Sequence, residues 1–372
     1  MKSQSIRREL SSSILGAIGL ITVVIATPII PVKAAAAAAA TTTTPQRTSL
    51  SVNPLGALQR VPMDCNGQHY VGVLPPHGEG MPLAALEGLA TTPSGPALQR
   101  QLQLLQSPSV LWMPPICKQG HGGSPERVTT THAQGVTSGP SSTGVSANWA
   151  GYTTSGYSAG TWEESVAYWN IPSTFPNPPG QTYSSTWAGL GTGDSNNDAL
   201  LQTGSETDVN TNGFATNYLW WELYPMNAQQ EFDVRVYPGD SIYGDVIHTG
   251  YGTGYAYACD ESYSPAVCSM VNITWPSSYT VTGAQAEWIA ERTEIGSNYP
   301  LFTDLNGIQF SGTSAMTSSG QWWSLQNMNL QTIDMSSTCA GQPPYIAVPG
   351  SIYNQESWGL NWYGYGQVVY HC

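Results

Sequence analysis

The chain has 372 residues and a formal net charge of −13; only 9% of its residues are charged, against 39 glycines, 27 prolines and 20 tyrosines. That composition argues against a helix-rich protein and favours strands joined by tight turns. The acidic surplus excludes nucleic acid and anionic membranes as natural partners.

Residues 1–36 read as an export signal. Lys2, Arg7 and Arg8 form a basic start, a mostly apolar run extends from Ile14 to Ile30, and Ala34, Ala35 and Ala36 offer a cleavage site. After cleavage the chain is expected to be secreted, extracellular and free of the membrane. Ala34–Ala40 and Thr41–Thr44 form a low-complexity linker. Leu98, Leu102 and Leu105 give residues 83–105 the best helical spacing in the chain, with Pro96 just ahead. A stretch rich in helix and strand breakers from Gly120 to Gly144 marks a linker or activation site. Residues 37–140 are therefore expected to be a pro-segment and residues 141–372 the functional domain.

Charge divides along the same boundary. Residues 37–140 hold Arg47, Arg60, Arg100, Lys118 and Arg127 against four acids, whereas residues 141–372 hold only Arg235 and Arg292 against nineteen. So few cations can depress few carboxylate pKa values, so the domain should be more stable in mild acid than at neutral pH. The pro-segment should be drawn to the domain at neutral pH and released in acid, an inhibitor removed by self-cleavage.

From Val145 onward, short aromatic and β-branched runs alternate with Gly, Pro, Asn and Ser clusters. Ser165–Ile171, Tyr218–Tyr224, Phe232–Val236, Ser241–Val246, Val271–Trp275 and Ala286–Glu291 are the expected strands. Repeated short strands with turn signals indicate an antiparallel sandwich or barrel. The six cysteines fall as neighbours, Cys65 with Cys117, Cys259 with Cys268 and Cys339 with Cys372, but six cysteines allow fifteen pairings.

Candidate chemistries narrow quickly. Beyond residue 140 the only histidines are His248 and His371, without HExxH or paired ligand spacing, so no metal is expected. Gly156-Tyr157-Ser158-Ala159-Gly160 matches G-x-S-x-G but lies in a Gly/Ser/Thr loop with no helical pattern after it, so a hairpin turn explains it. Carboxylates and amides remain. In Ala286–Glu291, alternation puts Glu287, Ile289 and Glu291 on one face; the two glutamates lie about 13 Å apart and cannot share a proton. Trp220, Glu222 and Tyr224 share a face of another strand, and Gln202 lies in an apolar strand that runs into Gly204.

These segments, in this order, resemble the glutamic peptidase (eqolisin) family of secreted acid proteases. Ser146–Gly151 (SANWAG) resembles SSNWAG, Trp187–Leu190 resembles WVGI, and Leu200–Gly204 matches ILQTG. Trp220–Pro225 resembles WYEWYP, Gly239–Ile242 matches GDSI, and Ala286–Glu291 is similar to AEWIVE. The resemblance implies an all-β fold of two bent antiparallel sheets, lectin-like (concanavalin-like), with a concave substrate groove. It implies a monomeric endopeptidase without a cofactor, acting on peptide and protein substrates through Gln202 and Glu291. Glu291 would serve as general base on water and then as acid toward the leaving amine, while Gln202 would stabilise the tetrahedral intermediate. Trp187, Asp194, Gly204, Trp220 and Glu222 match substrate-binding positions, with Asp194 reached only through a one-residue insertion. Arg292 stands where the family carries an Asp and, by alternation, faces away from Glu291. The alternative is a carbohydrate-active or carbohydrate-binding sandwich. Glu206-Thr207-Asp208 begins the ExDxxE pattern of lectin-like glucanases, but Thr211 stands where its last Glu should be.

Overall fold

Each strand expected from the sequence overlaps a strand of the computed structural model, and alternation along each run divides its residues between two environments. The structure describes residues 59–65, 68–74, 110–113, 115–120, 143–175, 178–192, 198–250, 252–296, 298–305, 307–337 and 344–370. The export signal, the alanine–threonine linker, the expected helix at 83–105, most of the expected activation region, Asp194, Cys339 and Cys372 lie outside them.

Among the described residues, four strands precede residue 121: β1 (Gln59–Cys65), β2 (Gln68–Leu74), β3 (Val110–Trp112) and β4 (Pro115–Gln119). Then follow β5 (Thr143–Ser146), β6 (Trp149–Thr154), β7 (Trp162–Asn170), β8 (Thr182–Tyr183), β9 (Ser185–Leu190), β10 (Leu200–Val209) and β11 (Ala215–Tyr224). The middle of the chain adds β12 (Gln230–Arg235), β13 (Ser241–His248), β14 (Thr253–Asp260), β15 (Ala266–Thr274) and β16 (Ala286–Glu291). The rest comprises β17 (Asn298–Tyr299), β18 (Leu301–Phe302), β19 (Gln309–Thr317), β20 (Trp322–Ser324), β21 (Leu330–Ser336), β22 (Tyr345–Pro349), β23 (Trp358–Trp362) and β24 (Val369–Tyr370). The described residues contain no α-helix, only one 3-10 turn at Leu325–Asn327.

Two sheets pack face to face. The first runs β1–β2–β15–β14–β13–β7–β19, with β3 added in parallel to β15. The second runs β21–β6–β16–β9–β10–β11–β12–β4, and β5 pairs in parallel with β21. β23 pairs with β19 and with β22, so it joins the two sheets at one end. The architecture is a β-sandwich.

The main core lies between the sheets and is built from one parity of each strand. Leu201, Leu219, Trp221, Ala188, Trp288 and Ala290 face inward from the second sheet and meet Trp169, Ala167, Val246 and Ala256. Buried indole N–H groups are stabilised by hydrogen-bond partners, and two here find theirs across the sandwich. Trp169 Nε1 donates to Ser205 Oγ at 2.8 Å and Trp288 Nε1 to the Val166 carbonyl at 2.9 Å, each bond crossing between sheets. Gly244 makes room for this: a Cβ there would lie 2.8 Å from Trp169 Cζ3 and against its Cη2.

Two local readings are refined. The Gly156–Gly160 loop is not a hairpin, because β6 and β7, which it joins, belong to different sheets; Gly156 and Gly160 take positive φ in that crossing. Among the described residues two disulfides are present, Cys65–Cys117 and Cys259–Cys268, as sequential pairing would have them. Strands β1 to β4, from the expected pro-segment, lie in the same compact unit as the rest of the described chain.

Candidate active site

The opposite parity of the second sheet carries the candidate residues. Register makes three rows across its strands. Trp149, Glu291, Ser185, Glu206 and Tyr218 form one row. Gly151, Ile289, Trp187, Gly204 and Trp220 form the next, and Thr153, Glu287, Gly189, Gln202 and Glu222 the third. A second apolar cluster, Trp149, Trp187, Leu200, Tyr218, Trp220, Ile289 and Ile333, covers this face. Gln202, Glu222, Glu287 and Glu291 are buried among it, with Glu291 the most accessible at 6%.

Glu291 ends β16, and both of its oxygens receive an N–H. Asn148 Nδ2 donates to Oε1 at 3.1 Å and Trp187 Nε1 to Oε2 at 2.7 Å. Asn148 is itself oriented by Ser146, whose hydroxyl donates to Asn148 Oδ1 at 2.8 Å and accepts from the Trp149 N–H at 3.1 Å. Burial pushes the Glu291 pKa up to about 8, against the pull of its hydrogen bonds from Trp187 and Asn148.

Gln202 Nε2 donates to Glu222 Oε2 at 2.9 Å across adjacent strands. The other oxygen of each group, Gln202 Oε1 and Glu222 Oε1, is buried without a hydrogen-bond partner, and so is Glu287 Oε2. Burial, then the charge of Glu291, raises Glu222 well above the usual carboxyl range. Burial, then Asp198 and Glu291, does the same to Glu287. Orphaned buried acceptors are costly, about 1–3 kcal/mol each, and mark places where a donor is expected to arrive.

The structure thus assembles two contacts, Glu291 with Trp187 and Gln202 with Glu222, on one sheet face. It does not join Gln202 to Glu291 directly. Glu291 pairs with Ser185 and Gln202 with Gly189, four residues along the strand between them. That offset separates their backbones by about 13 Å along the strands and about 10 Å across them. The side chains must reach over Trp187 and Gly204 to approach one another.

Gly204 lies inside the sheet, paired with Trp187 on one side and Trp220 on the other. A Cβ there would lie 2.6 Å from Trp187 Cβ and 2.8 Å from Trp220 Cζ2, and would press on the Thr186 carbonyl. Its missing side chain is what lets the two indoles flank the site. Arg292 points away from Glu291, as alternation requires, and is fully buried. Its guanidinium donates to the carbonyls of Tyr299 (3.0 Å), Pro300 and Gln367, tying down two distant segments. Asp194 lies outside the described residues. Among those residues, no group of three His, Cys, Asp or Glu is placed to hold a metal.

A second polar cluster surrounds Glu206, which the sequence marked only as the start of an incomplete ExDxxE pattern. Glu206, four residues beyond Gln202 on the same face of β10, is fully buried. It accepts from Ser185 Oγ, from Thr293 Oγ1 at 2.7 Å and from Gln229 Nε2 at 3.3 Å. Burial and neighbouring Asp208 hold its proton well above the usual range. Strand alternation from Gln202 would have found Glu206. Asn148 sat inside the Ser146–Gly151 motif but carried no separate signal.

Comparison with known proteins follows the same lines. The profile of the Peptidase A4 family matches residues 147–344, more than half of the chain. Aspergillopepsin-2 of Aspergillus niger is 32% identical over 142 residues, 37% of this chain and 47% of that protein, so the chain spans about half the length of this curated relative. Among solved structures, scytalido-glutamic peptidase aligns at 23% identity and a TM-score of 0.47, covering 58% of this chain and 98% of that one. Aspergilloglutamic peptidase from Aspergillus niger aligns at 23% identity and a TM-score of 0.41, covering 49% and 99%. The assignment rests on the sequence profile: the chain belongs to the Peptidase A4 family.

Proposed function

We propose that the chain is an exported endopeptidase working in acid, with Glu291 and Gln202 as its catalytic residues. The observation that carries this reading is the setting of Glu291. Among the four buried glutamates of this face, its two oxygens each receive an N–H from a fixed side chain, and no second carboxyl hydrogen-bonds to it.

The proton inventory alters the expected order of events. With a pKa near 8, Glu291 begins the cycle in acid as a carboxylic acid rather than a carboxylate. One oxygen gives its proton to the substrate carbonyl oxygen while the other takes a proton from the attacking water. The water oxygen bonds to the carbonyl carbon, giving a neutral tetrahedral diol, and the carboxyl is protonated again. It then passes a proton to the amine nitrogen as the C–N bond breaks, and regains one from a diol hydroxyl. Free acid and amine result. Gln202 Oε1, buried and unpartnered, is available to accept from the water and aim it. Its Nε2 would donate to the developing oxygen after leaving Glu222. Trp187 holds Glu291, and Gly204 keeps space for Trp187 and Trp220 beside the substrate.

The test is peptide release from an unfolded protein in acid, with a polysaccharide assayed in parallel. Gln202→Ala and Glu291→Gln should each remove peptide release while leaving the fold intact by circular dichroism. Activity should fall as pH rises through the Glu291 ionisation. A rate that climbs through it would restore the carboxylate as the starting form, and sugar release without peptide release would reject the peptidase.

A further inference from the structure

We propose that residues 59–120 are a lasting part of the enzyme: when the chain is cut between residues 121 and 142, they stay bound to residues 143–372 as a second chain and brace the loop at 225–230. The sequence alone suggested an inhibitor held by charge. The attachment in the structure is of another kind.

Strand β4 extends the sheet that carries the active-site rows. Gln119 pairs with Gln230 and Pro115 with Phe232, and the Gly120 N–H donates to the Gln229 carbonyl at 3.0 Å. Strand β3 lies parallel on β15, where the Met113 N–H reaches the Cys268 carbonyl at 2.7 Å and Ser269 Oγ donates to the Met113 carbonyl at 3.0 Å. Strand β2 pairs with Val271 and Asn272 farther along β15. The segment therefore closes exposed edges of both sheets, where unpaired N–H and C=O groups would otherwise invite association.

Its anchors are apolar. Cys65 and Tyr70 are 2% exposed and Trp112 5%, and Met63, Cys65 and Tyr70 belong to the main core. The Tyr70 ring meets Trp221 edge-on at 4.8 Å, and Trp112 tilts against Tyr257 at 5.5 Å. Lys118 does pair with Glu231 at 2.7 Å, but its side chain is 66% exposed, where such pairs contribute little. Protonating carboxylates in acid cannot loosen backbone ladders or buried rings.

The segment also touches the supports of the site. Tyr70 OH donates to Asn227 Oδ1 at 3.0 Å, and the same oxygen accepts the Leu223 N–H at 3.2 Å, next to Glu222. Gly120 packs against Gln229 Oε1, where a side chain would not fit. Gln229 in turn donates to Glu206 and to Ser185, each at 3.3 Å. The loop at 225–230 is thus held on one side by residues 59–120 and on the other by the active-site face.

The experiment places a recognition sequence for a site-specific protease between residues 128 and 136 of the full chain. The purified protein is cut and run on gel filtration at pH 4 and at pH 7. Both pieces should elute together at either pH and part only in denaturant. Lys118→Met should leave that result unchanged. Elution of the 59–120 piece apart from a folded 143–372 piece at pH 4, or its release by Lys118→Met, would overturn the proposal, as would a rise in peptide release on removing it. Co-elution is read without any activity, so a failure of the peptidase reading shows separately, as a joined but inactive complex.

Discussion

Substituting Glu291 by Gln should flatten the pH dependence of stability, because this carboxyl titrates far from its unfolded value. A free Glu ionises near 4.5, whereas in the fold burial pushes Glu291 up to about 8. Between those values the folded chain holds a proton that the unfolded chain has lost, so stability falls as pH rises through the window. From pH 4 to pH 7 the loss attributable to Glu291 is about 3 kcal/mol, at about 1.4 kcal/mol per pKa unit. For a domain of this size that corresponds to roughly 6–12 °C in Tm. Glu206, Glu222 and Glu287 are raised by burial as well and act in the same direction. His248, lowered to about 4 by burial, acts oppositely: it adds stability as pH rises from 4 to about 6.5. Comparing variant with parent cancels His248 and leaves Glu291 together with its electrostatic coupling to Glu222 and Glu287. Thermal melts from pH 4 to pH 8 should show the Glu291→Gln Tm gaining steadily on the parent. Parallel curves across that range would refute the claim that Glu291 is held protonated by its surroundings.

Four further outcomes are expected. Asn148→Ala removes one of the two N–H donors from Glu291, so the alkaline limb of the peptidase pH profile should move up by about one unit. Gly204→Ala drives a methyl between Trp187 and Trp220 and should lower stability by about 1–3 kcal/mol in urea unfolding. Arg292→Ala leaves three carbonyls without their donor and empties a fully buried site, and should cost about 3 kcal/mol by the same measurement, with the pH profile unmoved. Replacing Cys65 and Cys117 by Ser opens a bridge spanning 52 residues and should cost about 4 kcal/mol, against about 3 for the nine-residue bridge of Cys259 and Cys268.

Local pattern carried most of the fold. Runs such as Tyr218–Tyr224 and Ala286–Glu291 alternate with the period of a strand, and that period alone puts Glu287, Ile289 and Glu291 on one face and Arg292 on the other. Composition pointed the same way: glycine, proline and aromatic residues suit turns and pleated surfaces. The order of short motifs pointed to Gln202, Glu291, Trp187, Trp220 and Glu222. Strand order is another matter. Nothing local says that β9 lies between β16 and β10, and it is this neighbour that gives Glu291 its Trp187 partner and sets Gln202 four residues away along the sheet. Proton affinity, too, is a property of the packed site: a glutamate in sequence titrates near its free value until tertiary burial removes its water. The role of residues 59–120 turned on the same distinction. The slight positive charge of residues 37–140 is visible in the sequence, but hydrogen-bonded edges and buried rings exist only once the two sheets have come together.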